Sequence, residues 1–214
     1  MAPTIDELAV TGTPESWSAL GFEVDGDAIL VGTVAIRLVL EDEGRGLVRW
    51  SLRELGSTDL DGLPAERSER PVRPPAPPHP NGVDALDHVV AFSPDLERTV
   101  PALEAAGLDL RRRREGPTPG GAQRQVFFRL GEVILEVIEH PEDAPAAADP
   151  DAPARLWGLA FLVSDIDALP DRLGDLLGPV RAAVQPGRRI APVRRAARLS
   201  VPVAFITGPE VYRR

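Results

Sequence analysis

Cysteine is absent from the 214 residues, which excludes disulfides, thiolate metal sites and cysteine nucleophiles. Lysine is absent as well, so every basic side chain is an arginine and no lysine amine can run Schiff-base chemistry. No apolar run is long enough to span a bilayer, and no basic start is followed by an apolar middle. The expectation is a soluble, cytoplasmic protein. The GxGxxG, P-loop and nucleophile-elbow patterns are missing, which leaves nucleotide-binding and serine-hydrolase readings without support. Positive charge is scarce. The formal net charge is −9 and the pI is near 4.9, so the global field opposes non-specific binding to nucleic acid. The deficit is concentrated early: residues 1–82 hold 14 acidic and 7 basic side chains, residues 83–214 hold 19 and 17.

Proline is plentiful, with 23 residues. Pro64 to Gly82 (PAERSERPVRPPAPPHPNG) lacks backbone donors at many positions and has many fixed φ angles. It is expected to join neither helix nor sheet and to act as a PPII-like spacer. A second such stretch, Pro141 to Pro153, divides the C-terminal remainder of the chain. The expected organisation is a module over residues 1–66, a linker over 67–82, and a domain over 83–214 made of two modules, 83–140 and 154–214.

The segments between these stretches read alike. Leu86 to Phe92 is an apolar strand, Ser93-Pro94-Asp95 starts a helix carrying Leu96, Val100 and Leu103, and Gly107 ends it. Next come a basic stretch, a Gly/Pro turn and the strands Gln125 to Leu130 and Glu132 to Glu139. The order is β-α-β-β-β. The last segment repeats it: Leu156 to Val163, a helix from Ser164 to Leu177, then strands over Val180 to Val184, Ile190 to Arg195 and Val201 to Ile206. The first repeats it in short form: Ile5 to Val10, a helix over Pro14 to Leu20, then Phe22 to Asp25, Ile29 to Val31 and Val34 to Leu40. AILVGTVAIRLVLE (Ala28 to Glu41) aligns with VFFRLGEVILEVIE (Val126 to Glu139), with glycine at Gly32 and Gly131. After a strand over Leu47 to Leu55, STDLDGLP (Ser57 to Pro64) echoes VSDIDALP (Val163 to Pro170). That echo reads either as the opening of a truncated second module or as a common helix start.

The phrase LDHVVAFSPDLERTVPALEAAGL resembles the first strand and helix of a vicinal oxygen chelate module, of the glyoxalase, bleomycin-resistance and dioxygenase superfamily. RQVFFRLGEVILEVIE resembles that module's last two strands. The resemblance covers residues 83–214, and residues 1–64 more weakly. It implies an α+β fold of tandem βαβββ modules forming a half-open barrel, preceded by a degenerate module. It also implies a small-molecule ligand, a homodimer as one assembly, and a divalent metal held from the first and last strands of a module. Carried onto this chain, those positions are His88 and Glu136, a pair suited to Zn, Ni, Mn or Fe(II) acting as a Lewis acid. The corresponding residues of the last module, Gly158 and Ala204, cannot ligate. His140 is too far along the strand to share an ion with Glu136, about 13 Å if the strand continues. In the first module the same positions hold Glu7 and Arg37, expected to form a salt bridge. Two function classes result: a metal-dependent lyase, isomerase or dioxygenase of a small oxygenated molecule, or a metal-free relative that sequesters a small molecule. Arg111 to Arg114 read as a charged edge strand, with anion steering as the alternative. Gln185, Arg188 and Arg189, in QPGRRI, are candidates for gripping a carboxylate or phosphate, with a surface turn as the alternative.

Overall fold

The computed structural model describes residues 2–40, 45–118, 121–139, 149 and 151–208. In chain order its elements are β1 (Thr4–Thr11), α1 (Pro14–Ser18), β2 (Ala28–Val31), β3 (Val34–Val39), β4 (Leu47–Arg53), β5 (Ala65–Arg67), β6 (Val83–Ser93), α2 (Leu96–Ala105), β7 (Asp109–Thr118), β8 (Gly121–Leu130), β9 (Val133–Glu139), β10 (Arg155–Val163), α3 (Leu169–Leu173), β11 (Arg181–Ala182), β12 (Arg189–Pro192) and β13 (Val203–Thr207). The chain forms two compact units, each assembled from separate stretches. Unit 1 comprises Met1–Asp6, Arg49–Arg70 and His88–Trp157, and unit 2 comprises Glu7–Val48, Pro71–Asp87 and Gly158–Arg214.

In unit 1 the strands run in the order β6-β9-β8-β7. The first and last strands of the module lie parallel, and the rest are antiparallel. Alternation gives this sheet two different faces. Val89, Ala91, Val126, Phe128, Leu135 and Val137 form one face and are buried together with Leu96, Val100 and Leu103 of α2. Asp95 starts α2 by accepting the Glu97 N–H at 2.8 Å, a side-chain cap for a donor the helix cannot satisfy. The basic strand β7 ends the order, so Arg111 to Arg114 do lie on an edge strand. Its pairing with β8 shifts between Leu110 and Arg112, where Arg111 is an extra, bulged residue.

Unit 2 repeats the topology once in full and once with one strand fewer. The last module runs β10-β13-β12-β11, with β10 and β13 parallel. The first runs β1-β3-β2, again with first and last strands parallel. The core of this unit gathers Trp17, Phe22, Phe161 and Phe205, with Phe22 5.1 Å from Phe161 and Trp17 6.1 Å from it, edge to face. N-terminal and C-terminal modules are thus packed into one hydrophobic core. These strand orders are open, so the sheets do not close into a barrel. The α+β, glyoxalase-like class is as expected.

Four local expectations change. Phe22 to Asp25 forms no strand, because Phe22 is drawn into the aromatic core and Asp25 makes only an isolated bridge to Ala28. The last helix starts at Leu169, five residues after Ser164, since Asp165 accepts the N–H groups of Asp167 and Ala168 in a turn. The Pro-rich stretch does join a sheet: β5 pairs in parallel with β4. Its later residues are also bonded within unit 2, through Ala76 N to Gly32 O and Asn81 N to Gly21 O. Proline removes its own donor and leaves those of its neighbours free to bond. Finally, STDLDGLP starts no helix. Asp61 and Gly62 take positive φ (56° and 88°), which turns the chain into β5.

Candidate functional site

The second face of the β6-β9-β8-β7 sheet carries the candidate site. Its register lays side chains out in rungs across the strands. One rung is His88, Ile134, Arg129 and Asp109. The next is Val90, Glu136, Phe127 and Arg112. The third is Phe92, Ile138, Gln125 and Arg114. His88 and Glu136 therefore sit on adjacent parallel strands, on one face and one rung apart, as expected. The His88 imidazole Nε2 lies 3.7 Å from a Glu136 carboxylate oxygen, and the side chains are 12% and 15% exposed. That separation is longer than a hydrogen bond and within ion-pair range when the imidazole is charged. Around the pair the face is half-buried and largely apolar, with Val90, Phe92, Phe127, Ile134 and Ile138. Trp157 extends it, packing edge-on against Phe92 at 5.2 Å, and the Arg155 guanidinium lies 5.4 Å from the Phe92 ring centroid.

Gln125 was not anticipated. It is buried, and its side-chain oxygen has no hydrogen-bond partner. In the sequence it is one polar residue in the alternation of AQRQVFFRL, with nothing to separate it from a solvent-facing position.

The same diagonal relation recurs in every module. Arg37 pairs with Ala9, two beyond Glu7, just as Glu136 pairs with Val90, two beyond His88. Ala204 pairs with Ala160, two beyond Gly158. The sequence alignment of these positions is therefore structurally correct. Glu7 and Arg37 form the expected salt bridge at 3.4 Å, with Asp27 as a second partner at 2.5 Å. Gly158 and Ala204 present no donor. His140 lies outside the described residues.

Arg188 and Arg189 are already engaged with carboxylates in unit 2. Arg188 donates to Asp87 at 2.5 Å and to the Thr207 carbonyl at 2.6 Å. Arg189 grips both oxygens of Asp167, at 2.6 and 2.7 Å. Gln185 holds the turn, its carbonyl accepting the Arg188 N–H at 3.2 Å. A ligand anion at either guanidinium would have to displace an intrachain carboxylate. Two further polar networks in unit 1, one buried and one part-buried, left no signal in the sequence. Fully buried Asp6 bonds Arg53 and, at 2.5 Å, Ser68. Asp61 bonds Thr99 and, at 2.6 Å, Arg98.

A family model described as a glyoxalase-like domain matches residues 86–210, more than half of the chain, from within β6 to beyond β13. The chain belongs to the glyoxalase-like domain family. Solved structures similar to this glyoxalase-like protein include a methylmalonyl-CoA epimerase from Mycobacterium tuberculosis, at 21% identity, covering 61% of this chain and 92% of the other with a TM-score of 0.49. A hypothetical protein from Bacillus halodurans matches at 18% identity, 58% and 94% coverage and a TM-score of 0.48. A Streptomyces coelicolor methylmalonyl-CoA epimerase in complex with 2-nitronate-propionyl-CoA matches at 19%, 60% and 96%, again at 0.48. At these identities the likeness concerns fold alone. No curated protein matches the chain.

Proposed function

We propose that this glyoxalase-like protein binds a small organic molecule on the β6-β9-β8-β7 face, with His88 and Glu136 holding the molecule's polar end. One observation carries the reading: an imidazole and a carboxylate stand 3.7 Å apart, both mostly buried, on an otherwise apolar face. The carboxylate offers acceptors and the imidazole one donor or acceptor, so a ligand with a hydroxyl or carbonyl group finds complementary atoms there. The surrounding Val90, Phe127, Ile134 and Ile138 suit the ligand's apolar part.

The family implies a divalent metal. The donors on this face fall short of a complete site for one. Zinc sites take three or four protein ligands, and carboxylate–imidazole iron sites take three. Among the described residues no group of three or more His, Asp or Glu is placed to share an ion. A resident metal therefore does not fit this donor set. A metal-dependent lyase, isomerase or dioxygenase is the second reading. It is favoured only by the spacing of the pair itself, because two ligands about 2.1 Å from an ion in tetrahedral geometry lie about 3.4 Å apart.

Metal retention separates the two. The intact 214-residue chain is incubated in turn with Zn, Ni, Mn and Fe(II), desalted, and its metal content measured beside that of His88→Ala/Glu136→Gln. Weak retention, equal in both proteins, is expected. Near-stoichiometric metal that disappears in the double variant would replace the binding reading with the catalytic one.

A further inference from the structure

The register that places His88 and Glu136 also places cations on their face. Arg112 stands on the rung of Phe127 and Glu136, and Arg114 on the rung of Gln125 and Ile138. The bulge decides this. Asp109 and Leu110 pair with Arg129 and Phe128, and Arg111 is then skipped, so Arg112 faces Phe127 and Arg114 faces Gln125. In a regular strand Arg111 and Arg113 would occupy those positions. As built, Arg113 pairs with Val126 and belongs to the α2 face. Arg129 adds a third cation on the site face, its Nε donating to the Gly131 carbonyl at 2.7 Å. The carboxylates on these three rungs are Glu136 and Asp109, and Asp109 is tied to Arg111 at 3.0 Å. The β7 side of the face is thus cationic, its middle is apolar, and its β6 side carries the imidazole–carboxylate pair and, over Phe92, Arg155.

We infer that the ligand class of this face is an organic anion with a flat apolar body: an aromatic or similarly planar carboxylate. The inference rests on the binding reading proposed above and deepens it. The body would lie over Phe127 and Ile138, short of Phe92, whose ring carries the Arg155 guanidinium, with the anionic group at Arg112 and Arg114. Guanidinium groups bind carboxylates as forked, charge-assisted pairs, which favours a carboxylate over its neutral isostere. Buried Gln125, whose side-chain oxygen has no partner, sits between these arginines and the apolar centre. That oxygen is an acceptor, so it takes a donor and does not itself hold the anion. Size is set by the sheet: Glu136 and Arg112 are two strand spacings apart, about 10 Å. That gap suits one or two fused rings bearing an acid.

The test uses the intact 214-residue chain with three probes of one shape: 2-naphthoate, 2-naphthamide and 2-naphthylmethylamine. Affinities are measured by titration calorimetry, with Trp157 fluorescence as a second signal. Naphthoate is expected to bind about tenfold more tightly than the amide, with the amine weakest. R112Q and R114Q should each remove most of that advantage, whereas R113Q should leave both acid and amide binding unchanged. Raising the NaCl concentration should narrow the gap between acid and amide in the unmodified protein, a check that depends on no variant. Acid and amide binding equally would overturn the ligand class and leave the binding site standing. Equal losses in R113Q and R114Q would also overturn it, since a general field would then be responsible. A failure of all three probes to bind would overturn the site reading together with this one.

Discussion

Asp6 and Glu7 are consecutive acids on β1, and their surroundings give them different weight. Asp6 is completely buried and is bonded to Arg53, itself almost fully buried, as well as to Ser68. Removing one member of such a pair strands a charge away from water. Asp6→Asn is expected to cost about 3–5 kcal/mol in urea unfolding. Glu7 faces Arg37, which is about a third exposed and keeps Asp27 as a second partner, so Glu7→Gln should cost no more than about 1 kcal/mol. Similar losses in the two variants would show that burial does not set their weights. His79 makes a related argument through pH. Its Nδ1 accepts the Glu23 N–H at 3.1 Å, and burial lowers its pKa against the opposing effects of the Leu30 carbonyl and Glu23. The folded state thus takes up this proton less readily than the unfolded chain. The stability it contributes is complete above the unfolded imidazole pKa of about 6.5 and is lost as pH falls from there toward the lowered folded value. The melting temperature should therefore fall more between pH 7 and 5 in the unmodified protein than in His79→Gln, which keeps an acceptor for the Glu23 N–H. Parallel curves would show that His79 is not the source.

At the scale of elements, the sequence was most informative where apolar alternation and helical spacing were strong. The strand–helix–strand order of all three modules, the matched glycines and the His88/Glu136 and Glu7/Arg37 diagonals were legible because period-two strands fix which residues share a face. Other features were not. The run RRRR has no alternation, so the bulge at Arg111 that sets which arginines face the site leaves no trace in it. Gln125 looks like any polar residue in a strand. The paired phrases STDLDGLP and VSDIDALP diverge because backbone context overrides shared letters. Ala168 is right-handed (φ −78°) just before α3, whereas Gly62 holds φ 88° on the way into β5. A Cβ at Gly62 would also overlap Pro153. Gly62→Ala is accordingly predicted to destabilise the protein by more than about 1 kcal/mol, the usual cost of a left-handed non-glycine residue before any clash. Ala168→Gly should cost about 1 kcal/mol at most. An unchanged unfolding midpoint in Gly62→Ala would mean that the loop rearranges freely and that its conformation is not required for β5.

On the scale of the whole molecule, chain order and compact units disagree. Each unit combines residues from before the Pro-rich stretch with residues from well after it. In unit 2, Trp17 and Phe22 complete a core with Phe161 and Phe205, and the Thr11 carbonyl accepts from Ser200. In unit 1, Asp61 accepts from Arg98 and Thr99, and the Gly56 N–H bonds the Ala106 carbonyl at 2.9 Å. Cutting between residues 66 and 83 would therefore divide both units, although the family match lies wholly on one side of the cut. The N-terminal piece alone would expose Trp17, Phe22, Trp50, Leu52 and Leu60, which are buried in the intact chain. Small chains bury too little apolar surface to tolerate such a loss. Residues 1–66 expressed alone are predicted to lack a cooperative melt, and residues 83–214 alone to melt earlier than the full chain or to aggregate. Mixing residues 83–214 with residues 1–82, which keep the bonds of Ser68, Ala76, His79 and Asn81, should restore one cooperative transition, since such a nick adds only the entropy of association. Circular dichroism melts of each fragment and of the mixture provide the measurement. A fragment 1–66 that melts cooperatively as a monomer, with no gain on mixing, would show that the N-terminal module folds independently and that the shared cores are not needed to hold it.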